Sequence, residues 1–146
     1  MTDRLDSRYV LFEWVDGLLI ATYHPDVRHI DRMMAEEIVQ TRLKFQGDIE
    51  KVWLLIRASG PIEITWAAQE YFCSPDGIEG LAATAILTDK NPVLRQLAEW
   101  LLNVQQPGMP LRLYRDEVQA RAWLLYKKTS IKKSIWIRDQ KSKETP

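Results

Sequence analysis

An α/β fold with a mostly parallel central sheet is predicted by three observations. Two short continuous apolar runs, residues 52–56 and 81–87, are typical of strands covered on both faces, as in a parallel sheet. Segments with helical periodicity alternate with these strands, which favours right-handed crossovers. A length of 146 residues with 46% apolar composition suits one domain. We therefore expect a single domain with about five strands in the sheet and about four helices.

The amino-terminal part is predicted to be a β-hairpin. Residues 9–15 and 18–23 are rich in aromatic and β-branched types. Asp16 and Gly17 lie between the two runs, and this pair readily adopts the positive φ angles that a tight turn needs. The hairpin should add an antiparallel strand to the sheet.

A first helix is predicted to begin after Asp31, whose carboxylate is placed to cap the first turn. Gly47 is placed to end it. The residues that recur at helical spacing and indicate its apolar face are Ile30, Met33, Met34, Ile38, Thr41 and Phe45.

Three further helices are expected along the rest of the chain. Thr65 is placed to cap the second helix, which should run through Phe72. Asn91-Pro92 is a typical start for the third. The fourth should begin at Asp116, after a last strand at residues 111–114, and run through Trp123 and Leu124. Trp53, Trp100 and Trp123 are expected in the core.

The bulk composition limits the possible partners and location. Twenty basic and twenty acidic residues cancel, so no overall field attracts nucleic acid, and we expect none to bind. The single Cys73 excludes an intramolecular disulfide, which favours a reducing compartment. No apolar run approaches the length of a membrane span. We expect a cytoplasmic protein without a membrane span.

The carboxyl-terminal residues 127–146 are predicted to be a basic tail that follows a domain of residues 1–126. The tail holds seven basic and two acidic side chains, and the rest of the chain carries the opposite excess. It interleaves apolar residues, among them Trp136, with cations. Such a composition can dock on an anionic surface or an acidic partner, or remain solvated.

The order of elements, with an apolar strand followed by Arg57-Ala58-Ser59-Gly60 and a helix start near Thr65, resembles the STAS-like family of SpoIIAA-like, anti-anti-sigma-factor-like proteins. The early Asp-Gly hairpin, the segment from Glu37-Ile38-Val39 to Arg42-Leu43, and the segment from residue 112 to Leu124 resemble a group of bacterial members. The resemblance covers roughly residues 9–126. It implies a SpoIIAA-like α/β fold and a regulatory role through a protein partner.

Phosphorylated members of that family carry an Asp-Ser pair at the start of the second helix. The resemblance places Thr65 and Trp66 at this pair, so the usual phospho-acceptor serine is missing. Thr65 and Ser59 are the candidate phospho-acceptors, and a phosphate on Thr65 would lie at a helix amino terminus. A threonine at this position also has a simple structural role as a cap. Trp66 and Trp136 are the candidate partner contacts.

The sequence offers few candidates for catalysis or metal binding. His24 and His29 lie near Asp26 and Asp31, but a metal site usually requires three or four convergent ligands. Cys73 has no base assigned to it and does not stand at a helix start, where thiol pKa values are lowered. Neither glycine-rich phosphate motif is found. We expect no catalytic residue, no cofactor and no metal.

Three functions remain as hypotheses. The first is a non-catalytic regulatory module that binds a protein partner, with the first turn of the second helix as the contact. The second is a small-molecule or lipid-binding module, in which Met33, Met34 and aromatic residues line a cavity between sheet and helices. The third is an enzyme, which would require Cys73 or a histidine to meet a second polar group. The oligomeric state is left open.

Overall fold

A six-stranded sheet with helices on both faces forms the protein. The computed structural model describes residues 3–88 and 108–144, and of residues 131–144 the backbone only. The described elements are β1 (Arg4–Asp6), β2 (Val10–Val15), β3 (Leu18–Tyr23), β4 (His29–Ile30), α1 (Arg32–Gln46), β5 (Val52–Ala58), β6 (Glu63–Ile64), α2 (Trp66–Cys73), β7 (Leu81–Leu87), β8 (Leu111–Tyr114) and α3 (Glu117–Glu144).

The sheet has the order β1-β2-β3-β5-β7-β8. The pairs β1–β2 and β2–β3 are antiparallel, and the strands β3, β5, β7 and β8 run parallel to one another. The predicted α/β class and mostly parallel sheet are therefore confirmed. The predicted count of about five strands misses the short edge strand β1, and it also misses a separate two-stranded parallel sheet formed by β4 and β6.

The hairpin forms as predicted because its turn residues tolerate left-handed backbone. Asp16 and Gly17 have φ angles of 51° and 79°. This conformation matches the right-handed twist of the flanking strands, and Val15 pairs with Leu18 directly across the turn. The register then continues to Val10 and Tyr23.

The predicted starts of α1 and α2 are confirmed. The Asp31 Oδ1 accepts from the backbone N–H of Met34 at 2.9 Å, and the Thr65 Oγ1 accepts from that of Ala68 at 3.2 Å. Gly47 ends α1 at a φ of 60°, and its N–H donates to the Leu43 carbonyl. Local capping chemistry therefore sets these boundaries.

Two cores lie on opposite faces of the sheet. The larger core packs α1 and α2 against the sheet, and we call this side the α1/α2 face. The smaller packs α3 against the other side, which we call the α3 face. Alternation along β5 divides its side chains between them, since Leu54 belongs to the first core and Leu55 to the second. The prediction that this strand is covered on both faces is thus confirmed.

The last helix is longer than the sequence indicated. α3 begins beside Asp116, whose carboxylate accepts from the Val118 N–H at 2.9 Å. Its backbone remains helical to Glu144, across the boundary that we placed after residue 126. Lys127 and Lys128 lie over the rings of Trp123 and Trp53, and the Lys128 Nζ donates to the Gly17 carbonyl at 3.0 Å. These two lysines therefore pack on the domain.

The apolar face predicted for α1 needs a correction. Met33 is 80% exposed, whereas Arg42 and Gln46, which the spacing pattern left outside, are buried. Arg42 is held inside by hydrogen bonds to backbone carbonyls far along the chain. Helical spacing alone could not reveal such long-range partners. The predicted third helix, with its start at Asn91-Pro92 and its Trp100, lies outside the described residues.

Candidate binding sites on the α1/α2 face

The small sheet of β4 and β6 aligns the starts of two helices. His29 and Ile30 pair in parallel with Glu63 and Ile64. The Thr65 N–H donates to the Ile30 carbonyl at 3.0 Å. Because α1 follows β4 and α2 follows β6, the two capping residues are brought side by side. Each of the two short strands is too small to be predicted from sequence.

Two exposed apolar side chains lie in the first turns of these aligned helices. Met33 is 80% exposed and Trp66 is 55% exposed. The Trp66 indole N–H donates to Glu70 at 2.7 Å, which holds the ring along α2. We call Met33 and Trp66, with the caps Asp31 and Thr65, the helix-start surface. Large apolar groups at the surface are characteristic of partner contacts.

The Thr65 hydroxyl already has a structural role as the cap of α2. A negative group at this position would lie at the positive end of the helix dipole. Ser59 lies exposed in the loop between β5 and β6. Trp136 falls in the part of α3 whose side chains are not described. Thr65 and Trp66 therefore lie together at the start of α2, whereas Ser59 lies outside this helix start.

A cavity of about 120 Å³ lies inside the α1/α2 face. One water molecule needs a cavity of roughly 10–15 Å³, so this cavity has room for a small organic group. The described apolar lining comes from the sheet, α1, α2 and the small sheet. It includes Phe12, Ala21, Ile30, Ile38, Val39, Leu54, Ile56, Ala58, Ile62, Ile64, Phe72 and Ile86. Met33 and Met34, which we expected in such a cavity, are not among the described lining residues.

One buried cation, Arg42, belongs to the cavity wall. Its side chain is 3% exposed. The guanidinium donates to the Gln46 Oε1 at 3.0 Å and to the carbonyls of Gly77 and Glu79 at 3.3 and 2.8 Å. Burial lowers the pKa of Arg42 to about 10, and the charge of Glu79 opposes this shift. The group therefore remains charged at neutral pH.

Arg42 and Gln46 together hold the turn before β7. The Gln46 amide donates to the carbonyls of Ile49 and Gly80 at 2.8 and 3.1 Å. Gly77 has no room for a side chain, since a Cβ would lie 1.9 Å from the Tyr71 carbonyl oxygen. The backbone at Gly77 therefore packs closely on the end of α2, and the sequence carries no local signal for this arrangement.

Cys73 is half-buried at the end of α2 and also lines the cavity. Burial raises the pKa of its thiol to about 11. The thiol is therefore protonated at neutral pH, which makes it a poor nucleophile. It contributes a small, weakly polar group to an otherwise apolar wall.

The histidines have separate surroundings. The His24 Nε2 lies 2.8 Å from the Asp6 carboxylate and 2.9 Å from the Ser7 carbonyl, so it ties β3 to the β1–β2 turn. His29 is exposed in β4. Within residues 3–88 and the described part of α3 and its preceding strand, no three histidine, cysteine or acidic side chains are grouped to hold a metal.

An ion-pair cluster lies on the α3 face at the carboxyl end of β5. The Arg57 guanidinium donates to both carboxylate oxygens of Glu117, at 2.5 and 2.7 Å, and Arg121 contacts the same carboxylate at 2.9 Å. These hydrogen bonds and charges lower the pKa of Glu117, although partial burial opposes the shift. The cluster fastens the first turn of α3 to the sheet.

None of the helices in the described ranges is both long enough and apolar enough to cross a membrane.

The protein has a SpoIIAA-like fold, as the sequence resemblance implied. Its structure is similar to that of an uncharacterised protein from Shewanella loihica PV-4, of the DUF3478 family, with a TM-score of 0.54 and 13% identity. The match covers 82% of this chain and 98% of the other. Such low identity establishes the fold alone.

The chain belongs to the family described as Domain of unknown function (DUF7793), whose model matches residues 12–128. The matched segment includes the aligned helix starts, the cavity-lining strands and the first turns of α3. The search of curated proteins gave no match.

Proposed function

We propose that the protein is a non-catalytic regulatory module that binds a protein partner through the helix-start surface. The observation that carries the proposal is the exposure of Met33 and Trp66 on two helices that the small sheet holds in register. A rigid platform reduces the ordering cost of binding, because the contact groups are already positioned. The SpoIIAA-like fold supports a regulatory role.

Charge supplies a way to regulate this contact. Thr65 caps α2 at the centre of the helix-start surface. Aspartate is also a favourable cap, so Thr65→Asp should preserve α2 while it adds a negative charge at the surface. We propose that phosphorylation of Thr65 would alter partner binding in the same direction as this substitution.

The test is a quantitative affinity capture from the native cytoplasm, followed by mass spectrometry. Trp66→Ala removes the exposed indole, and Tyr126→Ala is the matched control because Tyr126 is 67% exposed on α3. We expect a captured protein to decrease at least about tenfold with Trp66→Ala, as for an interface hot spot, and to stay unchanged with Tyr126→Ala. Thr65→Asp should change the same protein and no other.

The proposal is wrong if every captured protein is retained equally by Trp66→Ala, or if capture depends on Tyr126 instead. A truncation that removes the basic carboxyl-terminal residues should end after Ser130. An earlier cut would remove Lys127 and Lys128, which contact Trp123, Trp53 and Gly17. If capture is lost only with this truncation, the partner binds the end of α3 instead of the helix-start surface.

A second candidate function is ligand binding, which the cavity of about 120 Å³ favours. Ligand pockets are concave and mostly apolar, and they contain a few polar groups that fix orientation. The described part of the cavity wall meets this description through its aliphatic side chains and Arg42. Ile30 and Ile64 line it and directly precede the two helix caps, so a ligand there would contact the support of the helix-start surface.

A further inference from the structure

We propose that the cavity in the α1/α2 face binds an aliphatic monocarboxylate, with its hydrocarbon part among the apolar side chains and its carboxylate at Arg42. The inference rests on the second candidate function, ligand binding, and names the class of ligand. Two features of the described lining define that class: its apolar side chains and a buried cation, Arg42.

The wall of the cavity selects a hydrocarbon group. Branched aliphatic side chains from the sheet, such as Leu54 and Ile56, face Ile38 of α1 across the cavity. Two of the described polar side chains in the wall already have partners. The Gln69 amide donates to the Ile64 carbonyl at 2.8 Å, and the Thr84 hydroxyl contacts the Met109 sulfur at 3.4 Å. A ligand with several polar groups would lose its hydration here without adequate replacement.

Arg42 selects a single negative charge. A buried guanidinium is normally paired with a carboxylate, because its charge is costly to remove from water. Within residues 3–88 and 108–130, no carboxylate lies within ion-pair distance of Arg42, and its guanidinium donates to three neutral oxygens. Those bonds use three of the five N–H groups of a guanidinium. A ligand carboxylate would add a direct ion pair to the more distant charge of Glu79.

The position of the guanidinium fits this assignment. Gly77, whose carbonyl accepts from the Arg42 Nη2 at 3.3 Å, lines the cavity together with Arg42. The hydrogen bond between them places the Nη2 atom next to a residue of the wall. The Cys73 thiol belongs to the same wall and can act as a weak donor to a carboxylate.

The ligand class is tested by isothermal titration calorimetry of the full chain at pH 7 with pentanoate and pentanol, whose size suits a cavity of about 120 Å³. Pentanoate and pentanol have the same chain and differ in charge, so their comparison isolates the contribution of Arg42. We expect saturable binding of pentanoate with a dissociation constant at least about tenfold lower than that of pentanol, since hydrogen bonds to charged groups are the stronger ones.

Two substitutions locate the binding site. Ala58→Leu fills the cavity, whereas Ala67→Leu adds the same atoms at an exposed position of α2. Pentanoate binding should be lost with the first and kept with the second, and circular dichroism verifies that both variants fold. Arg42→Lys keeps a positive charge but removes the planar set of donors, so it should weaken the binding of pentanoate and leave that of pentanol unchanged.

The outcomes separate the two levels of the proposal. Equal affinity for pentanol and pentanoate would overturn the carboxylate assignment and leave ligand binding in place. A lack of saturable binding of either ligand would overturn both. Binding that survives Ala58→Leu with unchanged affinity would show that the ligand lies elsewhere, which also contradicts the inference.

Discussion

The α3 face of the sheet packs closely against its helix, with small residues at the contact beside larger ones, whereas the described part of the α1/α2 face surrounds a cavity. Ala83, Ala85 and Ala120 are at most 1% exposed and lie between α3 and the sheet. On the other face, Ile56 and Ile86 border unfilled space. Close packing stabilises a fold, and unfilled space gives up contacts. On the function proposed above, the α3 face serves stability and the α1/α2 face serves binding.

Two adjacent leucines of β5 offer the sharpest test of this contrast. Leu55 is fully buried on the α3 face, and Leu54 is 5% exposed and borders the cavity. Leu55→Ala should lower the free energy of unfolding by about 3–5 kcal/mol, and Leu54→Ala by about 2 kcal/mol, because Leu54 has fewer packed neighbours to lose. Urea denaturation of both variants measures the two values. An equal or larger loss for Leu54→Ala would contradict the contrast.

The reverse substitution, from alanine to leucine, should change the free energy of unfolding less. Its effect should differ between the two faces. Ala85→Leu adds three carbons to a filled core and should cost about 1–3 kcal/mol of unfolding free energy. Ala21→Leu adds the same atoms beside the cavity and should cost less than about 1 kcal/mol or increase stability. Melting temperatures from differential scanning calorimetry compare the two variants. A larger destabilisation by Ala21→Leu would show that the cavity is too narrow to accept the side chain.

Much of the fold could be predicted because its signals are local. The Asp16-Gly17 turn, the caps Asp31 and Thr65, and the apolar runs of β5 and β7 each act within a few residues. The edge strand β1 and the small sheet escaped prediction, since strands of two or three residues have no measurable periodicity. Their formation depends on pairing with distant segments.

The candidate site could be predicted only in part. Thr65 and Trp66 were found through the family resemblance, and their alignment with Met33 depends on the pairing of β4 with β6. The burial of Arg42 depends on carbonyls about 35 residues further along the chain. An arginine in an amphipathic helix is ordinarily expected on the solvent side. Tertiary hydrogen bonds reversed that expectation.

The smallest expected effect concerns pH and the anchor of α3. The pKa of Glu117 is lower in the folded protein than its ordinary value of 4.5, chiefly because of the hydrogen bonds from Arg57. The unfolded chain therefore takes up the proton first as the pH falls, and the stability from this group is lost below about pH 4.5. Glu117→Gln should flatten the decrease of unfolding free energy as the pH falls below about 4.5.

The control for this experiment is Glu36→Gln, because Glu36 pairs with Arg32 at the surface of α1 at 3.1 Å. Exposed pairs contribute little to stability. The control should follow the wild-type pH profile, and a profile of Glu117→Gln that also matches the wild type would show that the cluster does not stabilise α3.

The most direct test of the division between the two faces is a methyl NMR titration of the full chain with pentanoate at pH 7. The account predicts saturable shifts for Ile38, Leu54 and Ile56, which line the cavity, with little change for Ile20, Leu55 and Leu124 on the α3 face. Shifts confined to the α3 face, or a spectrum that pentanoate leaves unchanged, would contradict the assignment of the α1/α2 face to ligand binding.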